Sequence, residues 1–480
     1  MLSQIGHQPS RRIAELVEPR AGTKGNTEQS HTQRTQSRCS VSQRLNRVRN
    51  AARQRKKEKF TALLHHIDVD LLLESFLALK RHAAAGVDKV TWEDYDMQIQ
   101  ENIQDLHKRV QSGAYRALPV RRVFIPKADG RQRPLGIAAL EDKIVQRATV
   151  TVLNAIYEED FLGFSYGFRP KRGQHDALDA LSVAISNTPV NWILDADIKG
   201  FFDAVNQDWL IRFLEHRIGD ERIIRLVRKW LKAGVLEAGQ WQSSDMGTPQ
   251  GAVISPLLAN IYLHYVFDLW VKQWRKREAK GQVIVVRYAD DIVAGFELES
   301  DARRFLDAMR ERFEQFGLEL HGEKTRLIEF GRYAAANRKR RGQGKPETFT
   351  FLGFTFICAK SRRGKFVLWR KTRADRMRAK LVEIREQMRK RMHHTIPEQG
   401  AWLEAVVRGF NAYHAVPTNF RAIAAFRYHV VEIWLKSLRR RSQKYNLTWE
   451  RMIKLAAAWL PTPRILHPWP QQRFAVKHPR

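Results

Sequence analysis

Cysteine is almost missing from this chain: 480 residues hold only Cys39 and Cys358. Two thiols build neither a disulfide framework nor a cysteine-rich zinc centre, which excludes a stapled secreted scaffold and a zinc-ribbon protein. Long apolar runs are missing too, and none approaches the ~20 residues that a membrane-spanning helix needs. The start, Met1-Leu-Ser-Gln-Ile-Gly6, lacks the charged-then-apolar pattern of a secretory signal. Acidic charge is in short supply: 51 Asp plus Glu stand against 84 Lys plus Arg, for a formal net charge of +33. A field that positive implies a polyanionic partner. Without a span, nucleic acid is favoured over an anionic membrane surface, and the expectation is a soluble cytoplasmic protein with no membrane partner. The hydrophobic fraction of 43% is that of a folded protein, and the length suggests about three domains.

Against that basic background, the acidic residues that interrupt apolar runs stand out. In Val283-Ile-Val-Val-Arg-Tyr-Ala-Asp-Asp-Ile-Val-Ala-Gly-Phe296, two β-branched runs flank a Tyr-Ala-Asp-Asp centre. The runs read as buried strands and the centre as a tight hairpin connection. Adjacent carboxylates repel and lose hydration on burial unless a cation lies between them. Oxygen-only ligands would suit Mg²⁺; the other reading is a polar turn facing water. Trp192-Ile-Leu-Asp-Ala-Asp-Ile198 has strand alternation that puts Ile193, Asp195 and Asp197 on one face. Beside the hairpin, such a strand would bring a carboxylate from a second element, as a two-metal site requires. As an edge strand, it would leave Asp195 and Asp197 merely solvated.

The remaining stretches supply context. Arg121–Lys127 and Gln132–Ile137 read as strands of a hairpin whose basic side chains could clamp a triphosphate or carry ordinary surface charge. Phe161–Pro170 is an aromatic, glycine-bearing loop that either stacks bases or packs one domain on another. The glycines of Asp245–Gly251 let its backbone approach a ligand, and Ser255-Pro256 opens a helix with a stripe of Leu257, Ile261 and Tyr265. Residues 1–45 read as a disordered basic tail with a possible helix from Val41, and order is expected near Phe60. Asp70 is a possible cap of the helix carrying Leu72, Phe76 and Leu79, Gly86 its possible end, and Thr91–Asp94 a capping box. Thr348–Phe356 alternates as a strand. Between Trp369 and Met392, the residues Met377, Leu381, Ile384 and Met388 form a helical stripe whose other positions are largely Arg and Lys.

Six segments stand in the order of reverse transcriptase motifs: Arg133–Ile137, Asp197–Asp203, Gly247–Pro256, Tyr288–Asp291, Leu320–Thr325 and Phe351–Phe354. From about Phe60 to Pro470 the chain resembles the reverse transcriptase/maturase proteins encoded by bacterial group II introns. The resemblance implies an α+β right-hand polymerase. It divides the chain into the tail at 1–45, fingers at 46–185, a palm with an antiparallel sheet at 186–358, a helical thumb or maturase domain at 359–460 and a basic end at 461–480. Asp197 and Asp290 would hold Mg²⁺ with Asp291 assisting, less directly. Lys127 and Arg133 would neutralise the triphosphate, Gln250 would line the nucleotide pocket, Phe202 would collide with a ribose 2′-OH, and Lys324 could protonate the leaving pyrophosphate. Asp195 would be structural, and Asp203 matches the pattern without an assigned role. Arg408-Gly-Phe-Asn-Ala-Tyr413 matches the maturase pattern Gly-Trp-x-x-Tyr-Tyr imperfectly. The implied function is copying of intron RNA into DNA for retrohoming, with help in splicing; the partners are intron RNA, primer and target DNA, and dNTPs. Neighbouring readings are a domesticated or defence-associated reverse transcriptase and an RNA-binding splicing maturase without polymerase activity. The family's Cys- and His-bearing endonuclease region has no counterpart after the thumb, so no nicking of target DNA by this polypeptide is expected.

Overall fold

A computed structural model describes residues 31–126, 132–237, 240–242, 246–248, 251–441 and 447–477. Its strands are β1 (Val120–Pro126), β2 (Gln132–Ile137), β3 (Trp192–Ala196), β4 (Val235–Glu237), β5 (Gln240–Gln242), β6 (Val283–Tyr288), β7 (Asp291–Phe296), β8 (Arg326–Glu329), β9 (Phe349–Phe351), β10 (Phe354–Lys360) and β11 (Phe366–Thr372). They form three small sheets among many helices, an α+β architecture as expected.

The sheet that matters most runs β6-β7-β3-β8 and is antiparallel throughout. Its inner strand β7 is buried on both faces from Ile292 onward, so Ile292–Phe296 is a continuous apolar run rather than an alternation. β3 therefore sits inside the sheet, between β7 and β8, and is not an edge strand. A second sheet, β2-β1-β4-β5, contains the expected hairpin: β1 pairs antiparallel with β2, with Ile125 opposite Arg133.

One hydrophobic core extends from Val41 to Leu318. Its helix His31–Gln54 begins well before Phe60, where order was expected to start. Val41, Leu45, Val48 and Ala52 recur on one face of that helix, and all four are buried. The next helix, Val69–Leu77, is capped by Asp68, whose side chain accepts from Leu71 N at 2.9 Å, and not by Asp70. Gly86 lies far beyond its end. A Cβ there would come within 2.7 Å of Ala139 N, so this glycine serves a close backbone approach. The Thr91–Asp94 capping box forms as the sequence indicates.

Two compact units divide the described residues. One comprises those up to Glu347 together with Lys360–Val367; the other comprises Thr348–Ala359 and those from Leu368 onward. In the second, helices Ala374–Lys390, Ile396–His414, Phe420–Arg439 and Trp449–Trp459 enclose a core around Ile384, Met388, Leu403, Phe426 and Trp434. The segment expected as one strand over 348–356 is a hairpin instead. Leu352 (φ 46°) and Gly353 (φ 82°) both take the left-handed conformation of a type I′ turn, folding β10 back on β9 with Phe354 opposite Phe351. Trp369 belongs to β11, and the expected basic helix starts at Ala374. No helix among the described residues is long and apolar enough to cross a membrane.

Candidate active site

The Tyr-Ala-Asp-Asp centre is the tip of the β6–β7 hairpin. Tyr288 pairs with Asp291, leaving Ala289 and Asp290 as a two-residue loop. Ala289 has φ 55°, an unusual conformation for a residue with a side chain. Asp290 is half-buried and Asp291 exposed. The pairing of β3 with β7 ends at Ala196 opposite Ile292. Asp197 and Asp291 are the next residues of those strands, so the fold brings Asp197 and the Asp290–Asp291 pair to the same end of one sheet. Asp195 lies one pair inside, between Val293 and Arg326, and Asp203 is exposed beyond the turn.

Asp197 is held by residues 319–324, around the fifth of the six motifs. Its carbonyl accepts from His321 N at 2.8 Å, and Lys199 N donates to Glu319 O at 2.9 Å. That alignment brings the Lys324 ammonium to Asp197 Oδ2 at 2.6 Å. Among the described residues, no three His, Cys, Asp or Glu side chains are grouped as a metal cluster. The donor set is nonetheless carboxylate oxygen, suited to a hard divalent cation, and Asp197 already takes a cationic partner.

Past β3 the chain turns at Gly200 (φ 54°) into the short helix Phe201–Ala204. Phe201 is buried, while Phe202 is half-buried with its ring edge-on to Phe201 at 5.5 Å. The glycine-flanked loop lies against this turn. Gly247 N donates to Val205 O at 2.7 Å and Thr248 N to Phe202 O at 2.8 Å. A Cβ on Gly247 would lie 2.8 Å from Phe202 O, and one on Gly251 2.7 Å from Gly136 O of β2. The loop thus connects the Phe202 turn with the β1–β2 hairpin. Lys127 and Gln250 lie outside the described residues, as does the side chain of Arg133, whose backbone pairs in β2.

A buried polar network behind the hairpin escaped the sequence reading. Arg287 of β6 and Asp268 are both fully buried. Arg287 Nε and Nη2 donate to the two Asp268 carboxylate oxygens at 2.8 and 2.6 Å. Burial would push the Asp268 carboxyl up, but the Arg287 guanidinium and His264 hold it below the ordinary range. Arg287 Nη1 donates to Asn260 Oδ1 at 3.0 Å and to Ala289 O at 3.1 Å. The signal was present: one Arg inside the apolar run Val283–Tyr288 is too costly to bury without a partner. The 161–170 loop packs on the same strand, Tyr166 N donating to Arg287 O at 2.8 Å and Arg287 N to Phe164 O at 2.9 Å.

Residues 125–356 match the family described as reverse transcriptase (RNA-dependent DNA polymerase). Among curated proteins, the chain is 32% identical over 324 residues to protein YkfC of Escherichia coli K12, covering 60% of this chain and 80% of that one. It is 30% identical over 302 residues to the group II intron-encoded protein LtrA of Lactococcus lactis, covering 60% of this chain and 50% of LtrA. A putative COX1/OXI3 intron 1 protein of Saccharomyces cerevisiae is 25% identical over 432 residues, covering 76% of this chain and 51% of the yeast protein. The α+β fold is that of the right-hand polymerases, and the motif order, the sheet that gathers the carboxylates and these matches agree: the chain belongs to the reverse transcriptase family, the RNA-directed DNA polymerases.

Proposed function

We propose that this reverse transcriptase serves a group II intron, copying intron RNA into DNA during intron mobility and assisting the RNA's folding as a maturase in the cytoplasm. The observation that carries the catalytic part is the placing of Asp197 and the Asp290–Asp291 loop at one end of neighbouring strands. The intron assignment is supported by the likeness to LtrA, of which the chain spans half, and by the order of the six motifs.

Asp197 and Asp290 would hold Mg²⁺ with Asp291 nearby. Bound there, Mg²⁺ supplies a lowered pKa at the primer 3′-hydroxyl and charge neutralisation at the leaving pyrophosphate. The protein's own groups do the rest. Lys127 and Arg133 neutralise the triphosphate, and Gln250 lines the nucleotide pocket. Phe202 excludes the ribose 2′-OH. Lys324, whose ammonium donates to Asp197 Oδ2 at 2.6 Å, would give a proton to the leaving pyrophosphate. Fingers at 46–185, palm at 186–358 and a helical thumb at 359–460 remain the assignment of parts. The basic helix Ala374–Lys390 offers a phosphate-tracking face.

The maturase part is tested by binding at fixed salt. The protein is expected to bind a folded group II intron RNA more tightly than an unstructured RNA of equal length and to raise the splicing rate. Equal affinity with no effect on splicing would contradict the intron assignment and leave the polymerase standing.

A further inference from the structure

Ala289 holds a left-handed backbone conformation that a side chain disfavours, and such strain persists only where the surroundings over-determine it. Two groups do so. On one side the Arg287 guanidinium donates to the Ala289 carbonyl at 3.1 Å. On the other, Gly167 presents a bare Cα: a Cβ there would lie 2.9 Å from Tyr288 C and 3.0 Å from Ala289 Cα. Asn260 joins the two sides, accepting from Arg287 Nη1 at 3.0 Å and donating from Nδ2 to Gly167 O at 2.7 Å. Behind them, Asp268 takes the remaining face of the guanidinium from the end of a π-helical turn, His264–Asp268. An inserted π turn re-aims the side chains that follow it, and such turns recur at functional sites.

Stability does not account for the arrangement, since a buried ion pair is often replaced by apolar residues of similar volume without loss. What an apolar pair cannot supply is the donor to Ala289 O. We propose that Arg287, held by Asp268 and Asn260, is a positioning residue that fixes the Ala289 carbonyl and thereby aims Asp290 at the metal site. The inference rests on the reading of Asp290 as a metal ligand.

The test uses the full chain and Mn²⁺ as the probe, with binding read by electron paramagnetic resonance and thermal midpoints read in parallel. Asp290→Ala is expected to abolish the tightest Mn²⁺ site. Arg287→Lys, whose compact ammonium lacks the planar fork by which Arg287 reaches Asp268 and Ala289 from separate nitrogens, is expected to weaken it about tenfold. The pair Arg287→Met with Asp268→Leu is expected to melt near the wild type yet bind Mn²⁺ as weakly as Arg287→Lys. Wild-type Mn²⁺ affinity in Arg287→Lys and in the double variant, with loss in Asp290→Ala, would overturn the positioning role alone. Wild-type affinity in Asp290→Ala would overturn the ligand reading, and this inference with it. If the double variant does not fold, Arg287→Lys decides.

Discussion

Phe202 stands half-buried, its ring edge-on to Phe201 and its carbonyl tied to Thr248 N. In its proposed role this ring collides with a ribose 2′-hydroxyl. Phe202→Val is expected to raise incorporation of ribonucleotides relative to deoxyribonucleotides severalfold, measured by single-nucleotide extension; an unchanged ratio would remove the gate from this position. Asp142 gives a prediction about pH. It is buried, and its carboxyl is pushed up to about 6, although the Tyr115 hydroxyl and Leu118 N donate to it. The folded value is above the unfolded one, so folding binds the proton more tightly. Its contribution is complete below about pH 4 and is lost as the pH rises through 6, by roughly 3 kcal/mol. Stability of Asp142→Asn relative to wild type should therefore grow across that window; parallel curves would contradict it. At this scale the sequence was legible where a residue broke a local rule. Asp197, Asp290 and Asp291 interrupt apolar runs, and the structure brings them to one end of one sheet. Arg287 breaks the same rule, but Asn260 and Asp268, which satisfy it, lie on a helix nearly twenty residues or more earlier and become its neighbours only through the fold.

Among elements, strands with continuous apolar runs and helices with clear caps were readable, because period and capping are local. Misreadings arose where tertiary context decided. The 348–356 alternation continues through a turn because Leu352 and Gly353 keep apolar neighbours on both sides of the bend. The helix from His31 went largely unread because its polar residues mask the stripe from Val41 to Ala52, which only the core reveals. Helix Ile396–His414 offers a paired test. Gly400 is buried, and a Cβ there would lie 2.7 Å from Trp459 Cγ, whereas at Gly409 it would meet nothing within 4 Å. Gly400→Ala should destabilise by about 1–3 kcal/mol through overpacking. Gly409→Ala should stabilise by about 0.5–1 kcal/mol through the better helix propensity of alanine. Thermal or urea denaturation of the two variants reads the contrast; equal effects would refute the packing of Gly400 on Trp459.

For the whole molecule, composition indicated the partner class before any element was placed: a net charge of +33 suits a polyanion, and the chain belongs to a family that copies RNA into DNA. Motif order carried the fold class, since six short segments in sequence constrain topology more than any one of them. Composition could not reveal how the chain is divided, because two cores share the same residue types, one from Val41 to Leu318 and another around Trp434. The central claim is that the end of the β6-β7-β3-β8 sheet is the site of DNA synthesis. It is tested most directly by primer extension on an RNA template with dNTPs and Mg²⁺, comparing wild type with Asp290→Ala. The account predicts extension by the wild type and a loss of at least about a thousandfold in the folded variant. Equal extension by both would contradict it.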